Sequence, residues 1–352
     1  MRAGPDLRHD AGVTDLPTPA RWTDPGWLAT ATGWAADRLA ERGTRVVGRT
    51  HPHVRPWSTV LRLETTDGVV WLKAPGDGAR AEVALLAVLA ELDVPHTPRP
   101  VAHDVDLGLL LLPDAGPVSR TVHGGATPPD VMADHLGAYA GLQRSLEPHA
   151  DRLVGLGVED LRPALMPQVL AETIERLRVE RPPGRLDDDD AQALVALLPA
   201  YAEACAELAA GGVRPTLQHD DLHDNNIAVP GPVFLDWGDA CVGHPFGTLL
   251  ATLRSVMHHH GLGPDDPALH RIADAYTEAW TDVAPRPQLR RWALLALRVG
   301  PLTRSLSYRR ALTGVEESAW AEDGDALPGW LLELLEPGLP LRPPLLAAGV
   351  AR

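Results

Sequence analysis

Apolar and polar positions fall into two regimes along the chain. Between residues 44 and 73 the apolar residues come in short β-like pieces: "TRVVGRT" (44–50), "STVLRLET" (58–65) and "VVWLK" (69–73). Thr66-Asp67-Gly68 joins the last two and is a hairpin signal. A helix is expected over 79–92, "ARAEVALLAVLAEL", and "LGLLLLP" (107–113) reads as a further buried strand. Ahead of these pieces, Asp24-Pro25 pairs an N-cap residue with proline at the first helical position and opens "GWLATATGWAADRLAERG". After Pro113 the pattern is mainly helical, in "VMADHLGAYAGLQRSL", "MPQVLAETIERLRVE" and "AQALVALLPAYAEACAELAAGG". Two short strands, "NNIAV" and "VFLDW", flank Pro230-Gly231-Pro232, and more helix is expected over 246–335. The pattern predicts an N-terminal segment with a helix (1–43), a small β-rich half (44–116), a larger helical half (117–340) and a loose tail (341–352).

Composition narrows the partners. With 47 acidic and 32 basic side chains the net charge is −15, which argues against nucleic acid and anionic membranes and is compatible with a cationic small molecule. The apolar run at 107–113 is too short to span a bilayer, and "MRAGPDLRHDAG" lacks a secretory apolar segment, so the cytoplasm is the expected location. Cys205 and Cys241 make neither a disulfide framework nor a metal spacing and read as reduced. The run Asp187–Asp190 precedes a helix, where carboxylates answer free N–H groups and the dipole without a metal. The histidines of "MHHHGLGPDDPALH" point around a helix and read as a helix end.

Lys73 is the sole lysine; every other basic side chain is arginine. An ammonium is a compact point charge and a guanidinium a wide planar fork, so this position asks for a task that only the former does. "LQHDDLHDNNIAVPGPVFLDWGDA" (217–240) supplies one. It holds His219, Asp221 and Asn226 as H-x-D-x-x-x-x-N, then Asp236-Trp237-Gly238 at the end of an apolar strand. Asp221 can accept or orient a hydroxyl proton. Asn226 and Asp236 offer hard oxygen ligands suited to Mg²⁺, with Asn226 favoured over Asn225 by its spacing. Lys73, held by Glu82 on the following helix, would position phosphates, as phosphoryl transfer requires.

With these residues the sequence resembles the aminoglycoside phosphotransferase/choline kinase-like family, small-molecule relatives of the protein kinases. "HDDLHDNN" and "LDWGD" match its signature, except that Asp220 stands where the family has glycine, which reads as tolerance of a side chain. The resemblance implies an α+β, two-lobed protein-kinase-like fold, ATP as donor, Mg²⁺ as cofactor and a small-molecule hydroxyl as acceptor. It also implies adenine contacts in the link around Leu111, Leu112 and Pro113, and structural support from His219 and His223. The phosphate-covering stretch "THPHVRPWSTVLRL" has no glycine between its strands, so backbone groups near Trp57, Ser58 and Thr59 are candidates, with Ser58 the best hydroxyl.

For the acceptor, Asp239 could face the pocket or cap a turn or bind an arginine, the readings standing level. Glu316, Glu317 and Trp320 could give carboxylates and a stacking face, though a solvated helix explains them too. The W-G-D-A then H-P-F pattern is similar to actinobacterial sugar- or aminosugar-kinase-like members, so a sugar, aminosugar or amino alcohol is expected. Phosphorylation of an aminoglycoside or macrolide is the alternative, and a catalytically silent nucleotide-binding regulator is the alternative of another class.

Overall fold

The computed structural model describes residues 16–335 except 317, 319, 321 and 322. The tail expected at 341–352, the start of the N-terminal segment and Glu317 lie outside the described residues. Helix α1 (Pro25–Ala40) begins as its sequence dictates: the Trp27 N–H donates to the Asp24 carboxylate at 2.8 Å. A five-stranded antiparallel sheet follows in the order β1-β2-β3-β5-β4, formed by β1 (Val46–Arg55), β2 (Ser58–Thr65), β3 (Gly68–Pro75), β4 (Ala102–Asp104) and β5 (Leu109–Pro113). Helix α2 (Ala81–Glu91) lies between β3 and β4.

Two boundaries differ from those read in the sequence. Strand β1 continues through "HPHVR" to Arg55, although Pro52 lacks a ladder donor. It is an edge strand, and its register slips between Thr50 and His53, so the proline costs no paired hydrogen bond. The break at 43/44 also separates what packing joins. Ala31, Ala35 and Leu39 of α1 share one apolar core with Leu61, Leu63, Leu72, Leu109 and Leu111 of the sheet, so the helix belongs to the upper lobe.

The lower lobe holds α3 (Pro129–Leu146), α4 (Met166–Arg178), α5 (Asp188–Ala210), α6 (Leu249–His260), α7 (Pro267–Thr277), α8 (Arg286–Val299), α9 (Pro301–Ala311) and α10 (Ala326–Leu332). Asp187 caps α5, its carboxylate accepting from Asp190 N–H at 2.9 Å, in line with the reading of the tetra-aspartate as a helix start. By length and composition α5 could cross a membrane, but it packs against α4 and α8 and puts Leu194, Tyr201 and Leu208 into the core.

Behind the catalytic loop a small sheet in the order β6-β10-β7 joins Glu159–Leu161, Cys241–Gly243 and Thr216–Gln218, three strands too short to show a period in the sequence. The hairpin β8 (Ile227–Ala228) and β9 (Val233–Phe234) presents the loop on one side and Asp236 on the other. Helix α9 closes the molecule against the upper lobe. A Cβ at Gly78 would lie 2.1 Å from the Arg310 carbonyl oxygen, so only glycine permits this approach. Beside it Arg21 grips Asp77 with two hydrogen bonds of 2.8 and 3.0 Å.

Candidate active site

Lys73 leaves β3 opposite Val60 and Leu110 and enters the cleft between the lobes. Its Nζ lies 2.6 Å from Glu82 Oε1 and 2.6 Å from Asp236 Oδ1. Glu82 Oε1 also accepts the Trp237 N–H at 3.0 Å, so one oxygen ties α2 to the turn after β9. Burial opposes the lysine's charge, but the two carboxylates outweigh it and raise the Lys73 pKa. Asp236 is held below the ordinary carboxylate range chiefly by Lys73. Its backbone is left-handed, φ 61°, which aims its carboxylate into the cleft with half of the side chain, 52%, open.

Asp221 sits across the cleft. Its carboxylate meets Arg304 Nη2 at 3.2 Å and His223 Nε2 at 3.5 Å. Burial alone would raise its pKa, but Arg304 and His223 hold it below the usual range. The Asn226 amide N–H₂ donates to the Asp221 carbonyl at 3.0 Å, which fixes the amide and leaves its oxygen for a ligand. His223 Nδ1 accepts from Asn225 N–H at 3.2 Å, so its Nε2 bears the proton facing Asp221. His219 is buried, lowered in pKa by that burial, and donates from Nε2 to the Leu235 carbonyl at 2.7 Å. It thereby fastens the loop to the residue before Asp236.

A cavity of about 310 Å³ brings Trp57, Ser58, Lys73, Glu82, Asp221, His223, Asp236 and Asp239 together. A second, of about 550 Å³, meets it at Asp221, His223 and Arg304 and runs between α6 and α10. Four expectations fare differently. The Leu111 carbonyl accepts from Val101 N–H at 2.7 Å, its side chain is buried in the upper core, and it lines neither cavity. Pro113 closes β5 opposite Val70, outside both cavities. Asp239 is engaged by Arg304 at 3.4 Å; burial, with Asp221 nearby, pushes its carboxyl up to about 6. Glu316 and Trp320 line neither cavity, and Trp320 packs against the Arg181 guanidinium, 4.9 Å from its ring centroid. Asp239 thus faces the first cavity while paired with an arginine, and Glu316 lies outside both cavities.

One residue of the site escaped the sequence reading, and another was read too lightly. Arg304, 7% exposed, donates to the Asp220 carbonyl at 2.8 Å besides its contacts to Asp221 and Asp239. Asp220 is not merely tolerated: at φ 61° its Oδ1 accepts from Gln218 and Thr303, both at 2.6 Å, and its Oδ2 from Ser307 at 3.0 Å. The signal was present in "PLTRSLSYRR", a helix without an apolar stripe; once buried, it must find polar partners.

The model of a family described as "Phosphotransferase enzyme family" matches residues 50–286. The chain belongs to that family. It is a small-molecule O-phosphotransferase with a kinase-like two-lobed fold. No curated protein matches it. Among solved structures, macrolide 2'-phosphotransferase MphH from Brachybacterium faecium is 21% identical, covers 84% of this chain and 97% of its own, and superposes with a TM-score of 0.56. A choline/ethanolamine kinase family protein from Mesorhizobium loti is 15% identical over 86% of this chain and 95% of its own, TM-score 0.54. Plasmodium vivax ethanolamine kinase is 13% identical, covers 82% of each chain, and has a TM-score of 0.55. At these identities the likeness to the phosphotransferase family's solved members speaks for the fold.

Proposed function

We propose that this phosphotransferase moves the γ-phosphoryl group of ATP to a hydroxyl of a small molecule, with Mg²⁺ as cofactor. The observation that carries the reading is the convergence of Lys73, Glu82, Asp236 and Asp221 on one cavity from four separate elements. Lys73, buttressed by Glu82, meets the donor's phosphates as a point charge. Ser58 and the backbone of the β1–β2 turn at Trp57 face the same space and cover them.

The donor set fits Mg²⁺. Asn226 offers an amide oxygen and Asp236 a carboxylate whose second oxygen has no hydrogen bond among the described residues, and an ion of this kind completes its shell with phosphates and water. Bound there, the cation supplies charge neutralisation between phosphate oxygens. Asp221, kept ionised, receives or orients the acceptor's proton, and His223 and Asn226 keep its carboxylate turned to the junction of the two cavities.

Replacing Asp221 with Asn tests the assignment. Turnover should vanish while calorimetric binding of Mg·ATP persists; a variant that keeps most of its turnover removes Asp221 from the role of base. A panel of sugars, amino alcohols, aminoglycosides and macrolides, read by ADP release, separates metabolic from antibiotic acceptors. Mg·ATP binding with no turnover on any of them would favour the silent regulator.

A further inference from the structure

We propose that the second cavity takes an alcohol bearing a carboxylate or phosphate and turns away polycations; this rests on the phosphotransfer reading and names its acceptor class. Position comes first. The cavity shares Asp221, His223 and Arg304 with the donor side, so a molecule within it can offer a hydroxyl to Asp221. Its volume, about 550 Å³, is in the range of small-molecule sites.

The walls decide the charge. Asp221 is the sole carboxylate among the described residues that line it, and both of its oxygens are engaged, Oδ1 by Arg304 at 3.2 Å and Oδ2 by His223 at 3.5 Å and Asn226 at 3.4 Å. Donors are in surplus. Arg254 spends Nη1 on Glu333, and its Nε and Nη2 have no acceptor among the described residues. Ser255 and His258 make no side-chain hydrogen bond among the described residues. Arg254 can only donate, so a ligand that satisfies it must bring acceptor atoms, which Ser255 and His258 can also serve; an ammonium brings only donors and finds the one lining carboxylate already engaged.

Trp330 holds that arrangement in place. The Arg254 guanidinium lies 4.7 Å and that of Arg304 5.5 Å from its ring centroid. Both cations are thus fixed against an indole, where their attraction for an anion is less diluted by water than at an open surface. In the transfer, the acceptor hydroxyl loses its proton to Asp221, its oxygen bonds the γ-phosphorus, and the bond from that phosphorus to the bridging oxygen breaks to release ADP. Arg304, between the cavities, offsets the repulsion between an anionic acceptor and the phosphates.

A matched set of hexoses tests the assignment: methyl β-D-glucuronide, D-glucose 1-phosphate, methyl β-D-glucoside and D-glucosamine, each titrated calorimetrically into the Mg·ADP-loaded protein and assayed with Mg·ATP for ADP release. The expected order of affinity places the two anions first, the neutral glucoside next and glucosamine last, with about tenfold or more between the ends, equivalent to about 1.4 kcal/mol. The better of the two anions identifies the carboxylate or the phosphate as the preferred group. Arg254→Gln should erase the anion's advantage. Because that change strands Glu333, Glu333→Gln is the companion variant, and it should preserve or widen the advantage. Equal affinities, glucosamine ahead, or an order indifferent to Arg254→Gln would overturn the proposal. If the order holds and neither these hexoses nor the wider panel of alcohols yields ADP, the cavity assignment stands and the phosphotransfer reading falls.

Discussion

Arg304 Nη2 stands 3.2 Å from Asp221 Oδ1, linking a helix near the end of the chain to the carboxylate at the centre of the cleft. A fork-shaped donor fixes both the direction and the charge of its partner. Arg304→Gln should lower kcat by up to about 10²-fold, the low end of what acid–base help contributes, and leave the KM for ATP nearly unchanged. Arg304→Lys should recover part of the loss. A rise in the KM for ATP with kcat untouched would assign the arginine to the donor side instead.

Lys73 bridges two carboxylates, and its neighbour Glu82 has a side chain only 1% exposed. Lys73→Met strands that buried charge and should cost about 3–5 kcal/mol in denaturant unfolding, as breaking a buried pair does. Adding Glu82→Gln should return most of it. Lys73→Arg keeps the charge but not the shape, so stability should change less than turnover does. Equal stability of wild type and Lys73→Met would show that water, not the lysine, satisfies Glu82.

Asp220 exchanges backbone strain for hydrogen bonds. Glycine there would relieve about 1–2 kcal/mol of left-handed backbone cost, yet would remove three contacts, each worth about 1.5–3 kcal/mol when one partner is charged. Asp220→Gly should therefore lose stability on balance, by about 2 kcal/mol or more. Asp220→Asn keeps an oxygen for Gln218 and Thr303 and should stay closer to wild type. A glycine variant as stable as the parent would refute this account.

His244 is 5% exposed; burial pushes its pKa from 6.5 down to about 3, and its Nδ1 accepts from Phe246 N–H at 3.3 Å. The folded state then refuses a proton that the unfolded chain takes up. Stability is full above pH 6.5 and declines as pH falls toward 3, by up to roughly 1.4 kcal/mol per unit from this group. His244→Asn retains an acceptor for Phe246 and cannot titrate. Unfolding free energies at pH 7 and pH 5 should differ less in the variant than in the parent; an identical difference excludes His244 as a source of acid sensitivity.

Much of this chemistry was legible before any fold was known, because its residues are close in sequence or odd in composition. Asp221 and Asn226 share one loop, Asp236 ends the hairpin beyond it, and Lys73 is the single lysine. Glu82 is the first carboxylate on the helix after that lysine, where one turn carries it inward. The acceptor side was not legible. Glu316 and Trp320 were plausible by residue type alone, and type does not say which way a side chain turns. Around Leu111, likewise, an apolar strand run does not reveal which carbonyls its neighbours bond.

The sequence by itself determined the two lobes, the order of their main elements and the residues proposed to meet phosphate, since period, turn chemistry and short spacing are local properties. Only the tertiary structure decided the charge of the acceptor cavity. Arg254, Arg304 and Trp330 come from three helices, and whether a carboxylate in their midst is free or already neutralised depends on burial and on partners that linear order does not encode.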